Sequence, residues 1–145
     1  LLERLDVVLN IVQAVLVAIA AISLIVGGVG ITNTLYTSVL ERTKEIGVMK
    51  AIGARDSHIL GIFIVESAVY GIIGGIVGVI MGLLLSKSVE WIATYYFASE
   101  LLKITINPVL VLGSTAFSAI VGMVSGILPA RQAAQLEPVD ALRYE

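Results

Sequence analysis

Residues 7–40 read VVLNIVQAVLVAIAAISLIVGGVGITNTLYTSVL, 34 positions from Val7 to Leu40 without one charged side chain. A helix crossing the roughly 30 Å hydrocarbon core of a bilayer needs only about 20 such residues. The run therefore predicts a membrane span near Ile11–Ile31, with helix continuing beyond both ends. Ahead of it, Leu1, Leu5, Val8 and Val12 recur at spacings of 4, 3 and 4, one face of a helix. Residues 1–10 are thus expected to form a stalk that enters the span without a break.

The rest of the 145-residue chain points the same way. Hydrophobic residues make up 58% and charged residues 14%, against about 45–50% and about 25% in soluble domains. So few charges cannot cover so much apolar surface in water, and lipid is the simpler solvent. A net charge of -2 implies no general affinity for nucleic acid. With no cysteine, disulfides, zinc–thiolate sites and thiol catalysis drop out. The chain opens on Leu1, with Glu3, Arg4 and Asp6 ahead of the apolar run. That is not the layout of a signal peptide, and further chain is expected upstream.

A second apolar run, Ile59–Ser86, is interrupted only by Glu66, and a third covers Val109–Leu128. Asp56 or Ser57 suits the N-cap of the second span. Asn107 and Pro108 suit the cap and first residue of the third, and Pro129 is expected to end it. The segments are then 1–10 (stalk), 11–40 (span and extension), 41–56 (polar loop), 57–86 (span), 87–107 (connection), 108–129 (span) and 130–145 (tail). Trp91, Tyr95, Tyr96 and Phe97 in the connection suit a membrane–water interface. Three spans put Arg4, Lys87 and Lys103 on one side and Arg42, Lys44, Lys50, Arg55, Arg131 and Arg143 on the other. The richer side is expected in the cytoplasm, giving an N-out, C-in topology.

Enzymatic equipment is missing from the sequence. No Gly-x-x-x-x-Gly-Lys-Ser/Thr loop is present to cradle a phosphate. His58 is the only histidine, which leaves a histidine relay or metal cluster nothing to build on. What remains is packing and docking. In the second span Gly74, Gly78 and Gly82 repeat every four residues, with Gly71 and Gly75 on the adjoining face. Small-residue stripes let membrane helices approach closely. They serve packing within one subunit, the preferred reading, or a dimer seam. Glu66 lies about 7 residues inside its span, roughly 10 Å deep. It reads either as a proton- or substrate-coupled acid or, preferably, as a local partner for residues of the 41–55 loop, since no span holds a second ionisable residue to extend a proton path.

The 41–58 stretch is too charged and regular for slack linker. Ile46, Met49, Ile52 and Gly53 fall on one helical face, with Glu41, Lys44 and Glu45 turned away. The first long helix is expected to end near Gly47. Such an amphipathic helix lies at a membrane surface or docks its apolar stripe into a partner's groove.

Two long motifs settle that choice by resemblance. Residues 33–54, Asn-Thr-Leu-Tyr-Thr-Ser-Val-Leu-Glu-Arg-Thr-Lys-Glu-Ile-Gly-Val-Met-Lys-Ala-Ile-Gly-Ala, closely resemble the signature of the FtsX/MacB-like permease family. So does the ending 128–143, Leu-Pro-Ala-Arg-Gln-Ala-Ala-Gln-Leu-Glu-Pro-Val-Asp-Ala-Leu-Arg. Glu66 within Phe63–Ala68, followed by a glycine-rich helix, is similar too. The resemblance implies an all-α membrane protein whose three spans correspond to helices 2–4 of a four-helix permease, with a short cytoplasmic coupling helix. It implies docking to an ABC ATPase through Glu41, Arg42, Lys44, Glu45, Ile46, Met49, Lys50, Ile52, Gly53 and Ala54. It also implies a second permease subunit, and ATP and magnesium held by the ATPase, with no cofactor in this chain. The implied activity is mechanotransmission across the membrane. Conduction of a hydrophobic substrate, or a non-transporting scaffold acting on extracytoplasmic enzymes, are the alternatives.

Overall fold

The computed structural model describes residues 2–97, 105 and 107–137. Four helices account for nearly all of them: α1 (Leu2–Glu41), α2 (Thr43–Ala51), α3 (Asp56–Phe97) and α4 (Pro108–Ala134). At 1.5 Å per residue, the 40 residues of α1 and the 42 of α3 reach about 60 Å, twice the thickness of a hydrocarbon core. The stalk and first span are one rod: no proline occurs from Leu2 to Glu41, and the helix runs through Gly27-Gly28 without a break. The second span does not stop at Ser86 either: α3 runs on through Trp91 and Tyr95, whose rings stack at 5.7 Å. The rest of the 87–107 connection lies largely outside the described residues.

Between α1 and α2 only Arg42 leaves the helix, with φ -100° and ψ 12°. Hydrogen bonds from Arg42 N to Ser38 O (3.1 Å) and from Ile46 N to Arg42 O (3.0 Å) carry the ladder across. The junction is therefore a bend and not a loop. The Thr43 hydroxyl lies 3.0 Å from Val39 O and 2.9 Å from Leu40 O, the carbonyls that face the bend. The break thus falls at Arg42, five residues ahead of the Gly47 expected from the sequence. Gly47 is instead buried inside α2.

A glycine in the left-handed region ends α2. Gly53 has φ +104°; its amide donates to Lys50 O (3.0 Å) and that of Ala54 to Met49 O (2.9 Å). These are the paired bonds of a Schellman cap. Met49 and Ala54, the two residues it brings together, both pack on the hydrophobic core.

The helices α3 and α4 meet backbone to backbone. A Cβ on Gly71 would lie 2.5 Å from Ser118 O, and one on Gly122 would lie 2.5 Å from Ser67 O. The Ser118 hydroxyl donates to Gly71 O at 2.7 Å. In lipid, where apolar burial adds little, such close approach is what holds helices together. The start of α4 is as read from the sequence: Pro108 opens the helix and the Asn107 side chain accepts from Val109 N at 2.9 Å.

Its end is not. Pro129 was expected to stop the helix, yet α4 passes through it to Ala134. Proline has no N–H, so the carbonyl four residues back, that of Ser125, loses its helical donor. In α1, Thr32 supplies the replacement: its hydroxyl lies 2.8 Å from Ser125 O, and 3.0 Å from Gly28 O in its own helix. A hydroxyl on a neighbouring helix re-satisfies a carbonyl that lipid could not.

The contacts between helices are unevenly spread. The buried apolar residues are Leu35, Val39, Ile46, Ile59, Phe63, Ala130, Ala133 and Ala134, drawn from all four helices at the end that carries α2. From Arg4 to Gly27, by contrast, α1 is exposed at every position. It meets α4 only from Gly28 downward, and α3 less.

Candidate functional site

The bend and α2 gather most of the residues that the sequence singled out. On α2 the inward face is Ile46, Met49 and Lys50, at positions i, i+3 and i+4. Ile46 is 1% exposed, in the core beside Ile59 and Leu35. Met49 is half-buried against the same core. The opposite face carries Lys44, Val48 and Ile52, at i, i+4 and i+8, flanked by Glu41 and Glu45, and all five are exposed. Ile52 is the extreme at 82%, because the Gly53 cap turns the chain and leaves its side chain beyond the last helical turn.

This corrects the docking set. Ile46, Met49 and Lys50 face their own chain and are not free for a partner, and Ala54 is half-buried with them. Glu41, Arg42, Lys44, Glu45, Ile52 and Gly53 are exposed, joined by Val48, which the sequence reading passed over. The apolar spacing was real, but periodicity cannot say which body a stripe faces. Here half of it, Ile46 and Met49, belongs to the bundle.

Glu66 sits beside the bend. Its Oε2 lies 3.7 Å from Arg42 Nη1, with the glutamate side chain 22% exposed and the arginine 53%. Around them Asn33, Thr34, Thr37, Ser38 and Tyr70 complete a polar cleft of about 470 Å³ between α1 and α3. A carboxylate in a span is costly in lipid unless paired or hydrated; Arg42 supplies the pairing, in a cleft that Glu41 also lines.

Lys50 is the most fully engaged cation. Its Nζ donates to Ala134 O (2.6 Å) and Leu136 O (2.8 Å) at the end of α4 and pairs with Asp56 Oδ1 (2.9 Å) at the start of α3. Asp56 therefore opens α3, but its carboxylate goes to the lysine.

The glycines divide. Gly71 and Gly75 form the seam with Ser118, Ala119 and Thr115. Around Gly74, Gly78 and Gly82 nothing lies within 4 Å of a built Cβ. Among the described residues nothing packs against that stripe. Three partners were missed in the sequence: Gly122 and Gly126, which with Ser118 make the same four-residue repeat on α4, and Thr32. The repeat was legible; Thr32 was not, because its role depends on a proline 97 positions away.

Three helices long and apolar enough to cross a membrane, joined by a bent helical elbow, define a multi-span membrane protein. Residues 17–138 match the FtsX-like permease C-terminal family, and the chain belongs to that family of ABC transporter permeases. It is similar to an uncharacterized ABC transporter permease of Methanocaldococcus jannaschii, 43% identical over 95% of this chain and 34% of that protein. The macrolide export ATP-binding/permease protein MacB of Bdellovibrio bacteriovorus is 46% identical over 90% of this chain and 19% of that protein. An uncharacterized ABC transporter permease of Bacillus subtilis, YknZ, is 41% identical over 93% of this chain and 32% of that protein. The chain spans about a third or less of the length of these relatives.

Proposed function

We propose that this chain is the mechanotransmitting portion of an ABC permease, and that α2 is the coupling helix through which an ATPase moves it. The observation that carries the reading is the two-sidedness of α2: one face is locked into the apolar core shared by all four helices, the other is presented outward. A helix so placed accepts a push on one side and delivers it to the bundle on the other. The outward face mixes Ile52 and Val48 with Glu41, Lys44 and Glu45, the blend of apolar anchor and charged rim found at docking surfaces. The excess of basic residues around α2 favours a cytoplasmic position for this end, with the exposed half of α1 on the other side. ATP and magnesium belong to the ATPase, and a second permease subunit completes the assembly. The relatives' names support an ATPase in this system, since the Bdellovibrio protein is both ATP-binding and permease.

The test is association in the intact transporter. Ile52→Glu is expected to weaken co-purification of the ATPase about tenfold or more, the scale of a lost interface anchor, while insertion and folding are kept. Undiminished co-purification would remove α2 from the interface.

A further inference from the structure

We propose that Lys50 is the positioning residue that ties α2 to the ends of α3 and α4, so that a displacement of α2 enters both spans and not only α1. The inference rests on the reading of α2 as the receiver of motion and adds the bond by which motion leaves it.

An ammonium has three protons, and Lys50 has three acceptors within 2.9 Å: Ala134 O at the last residue of α4, Leu136 O two residues beyond it, and Asp56 Oδ1 at the first residue of α3. Its side chain is 11% exposed, so water does not compete freely for its protons, while Asp56 is itself 69% exposed and leaves the two carbonyls as the sheltered partners. The acceptors are also well chosen. The last carbonyls of a helix lack intrahelical donors and carry the negative end of its dipole. A carboxylate at a helix start is itself favoured by the positive end. One cation thus closes the C-terminal end of α4 and the N-terminal end of α3 together.

The other attachments of α2 are of a different kind. Ile46, Gly47 and Met49 make apolar contact, which is non-directional and fixes orientation less sharply than hydrogen bonds do. Toward α1 there is the bend at Arg42. The Arg42–Glu66 pair is longer, at 3.7 Å, reaches only α3, and has its arginine half exposed. Lys50 supplies the directional bonds. A lysine suits the task better than an arginine, because three acceptors around one point match a compact ammonium and not a planar fork.

The experiment uses the intact permease with its ATPase in nanodiscs, in a cysteine-free background, with spin labels on V8C (outer part of α1) or L112C (α4). Both sites are exposed. The quantity read is the ATP-dependent change in distance between the two copies of each label. Lys50→Met keeps length and removes charge. It is expected to retain the ATPase and its hydrolysis within about twofold, while the fraction of transporters showing the ATP-dependent displacement at L112C falls about tenfold or more, the least expected from losing charge-assisted hydrogen bonds. The displacement at V8C should survive, and Lys50→Arg should recover part of the α4 movement. An unchanged displacement at L112C in Lys50→Met overturns the proposal. Should Lys50→Met lose the ATPase, the pair K50C/L136C joined by a short bismaleimide decides: restored movement of α4 on cross-linking supports the tie, and none overturns it. If the unsubstituted transporter shows no ATP-dependent change at either label, the reading of α2 as a coupling helix fails first, and the role of Lys50 with it.

Discussion

Thr32 shows how much one hydroxyl carries when water is absent. Pro129 would leave Ser125 O without a donor in a helix packed against two others, and Thr32 answers from α1 at 2.8 Å. Thr32→Val is expected to destabilise the intact protein by about 1–2 kcal/mol, the usual cost of an unmade buried hydrogen bond. In a Pro129→Ala background that cost should shrink, because residue 129 regains an amide for Ser125 O. A double-mutant cycle by thermal unfolding in nanodiscs measures the coupling; additive costs would show that the two residues act independently. The same scale separates the glycines. Gly122→Ala puts a methyl 2.5 Å from Ser67 O and is expected to cost about 1–3 kcal/mol through overpacking. Gly78→Ala meets open space and should be neutral or slightly stabilising, alanine being the better helix former. Equal losses from the two substitutions would mean that the α3–α4 seam is not where the close approach lies.

Among the elements, α2 gives the sharpest contrast. Ile46 and Ile52 are both isoleucines on a nine-residue helix or its cap, 1% and 82% exposed. Ile46→Glu buries a carboxylate among Leu35, Ile59 and Phe63 with no partner, and several kcal/mol of stability should be lost. Ile52→Glu changes a side chain in the open and should leave stability within about 0.5 kcal/mol. Unfolding of the two variants side by side checks this; if Ile46→Glu melts like the parent, α2 is not anchored through that face. Lys50 and the Gly53 cap belong to this scale too. One fixes where α2 ends in space and the other fixes where it ends in sequence.

At the scale of the molecule, packing is concentrated at one end. All four helices share a core around α2, α3 and α4 continue as a glycine–serine seam, and α1 stands free above Gly28. In the proposed coupling role, a rod held at one end and free along half its length would convert a small displacement at the elbow into a larger one at its tip. In the intact transporter, ATP is therefore expected to move a label at V8C further than one at V29C, an exposed site beside the crossing of Gly28 with α4. Equal displacements would indicate that α1 translates as a whole. The free face of α1 and the Gly74–Gly78–Gly82 stripe also mark where the chain has apolar surface left to cover, and lipid or another protein helix must do so.

Much of this was legible from residues alone. The uncharged run Val7–Leu40, the Asn107–Pro108 start and the four-residue glycine spacing are local signals. Hydropathy, capping chemistry and small-residue periodicity act over a few turns and need no knowledge of neighbours. Those signals determined that the chain is three long membrane helices with a short polar elbow. Only the tertiary structure decided which face each stripe turns to whom: Ile46 inward and Ile52 outward, Gly71 packed and Gly78 open, Pro129 inside a helix, Lys50 tied to α3 and α4. The reason is physical. Periodicity fixes the angle between residues on one helix, but the rotation of that helix is set by contacts with partners far away in sequence, such as Thr32 with Ser125 and Lys50 with Ala134.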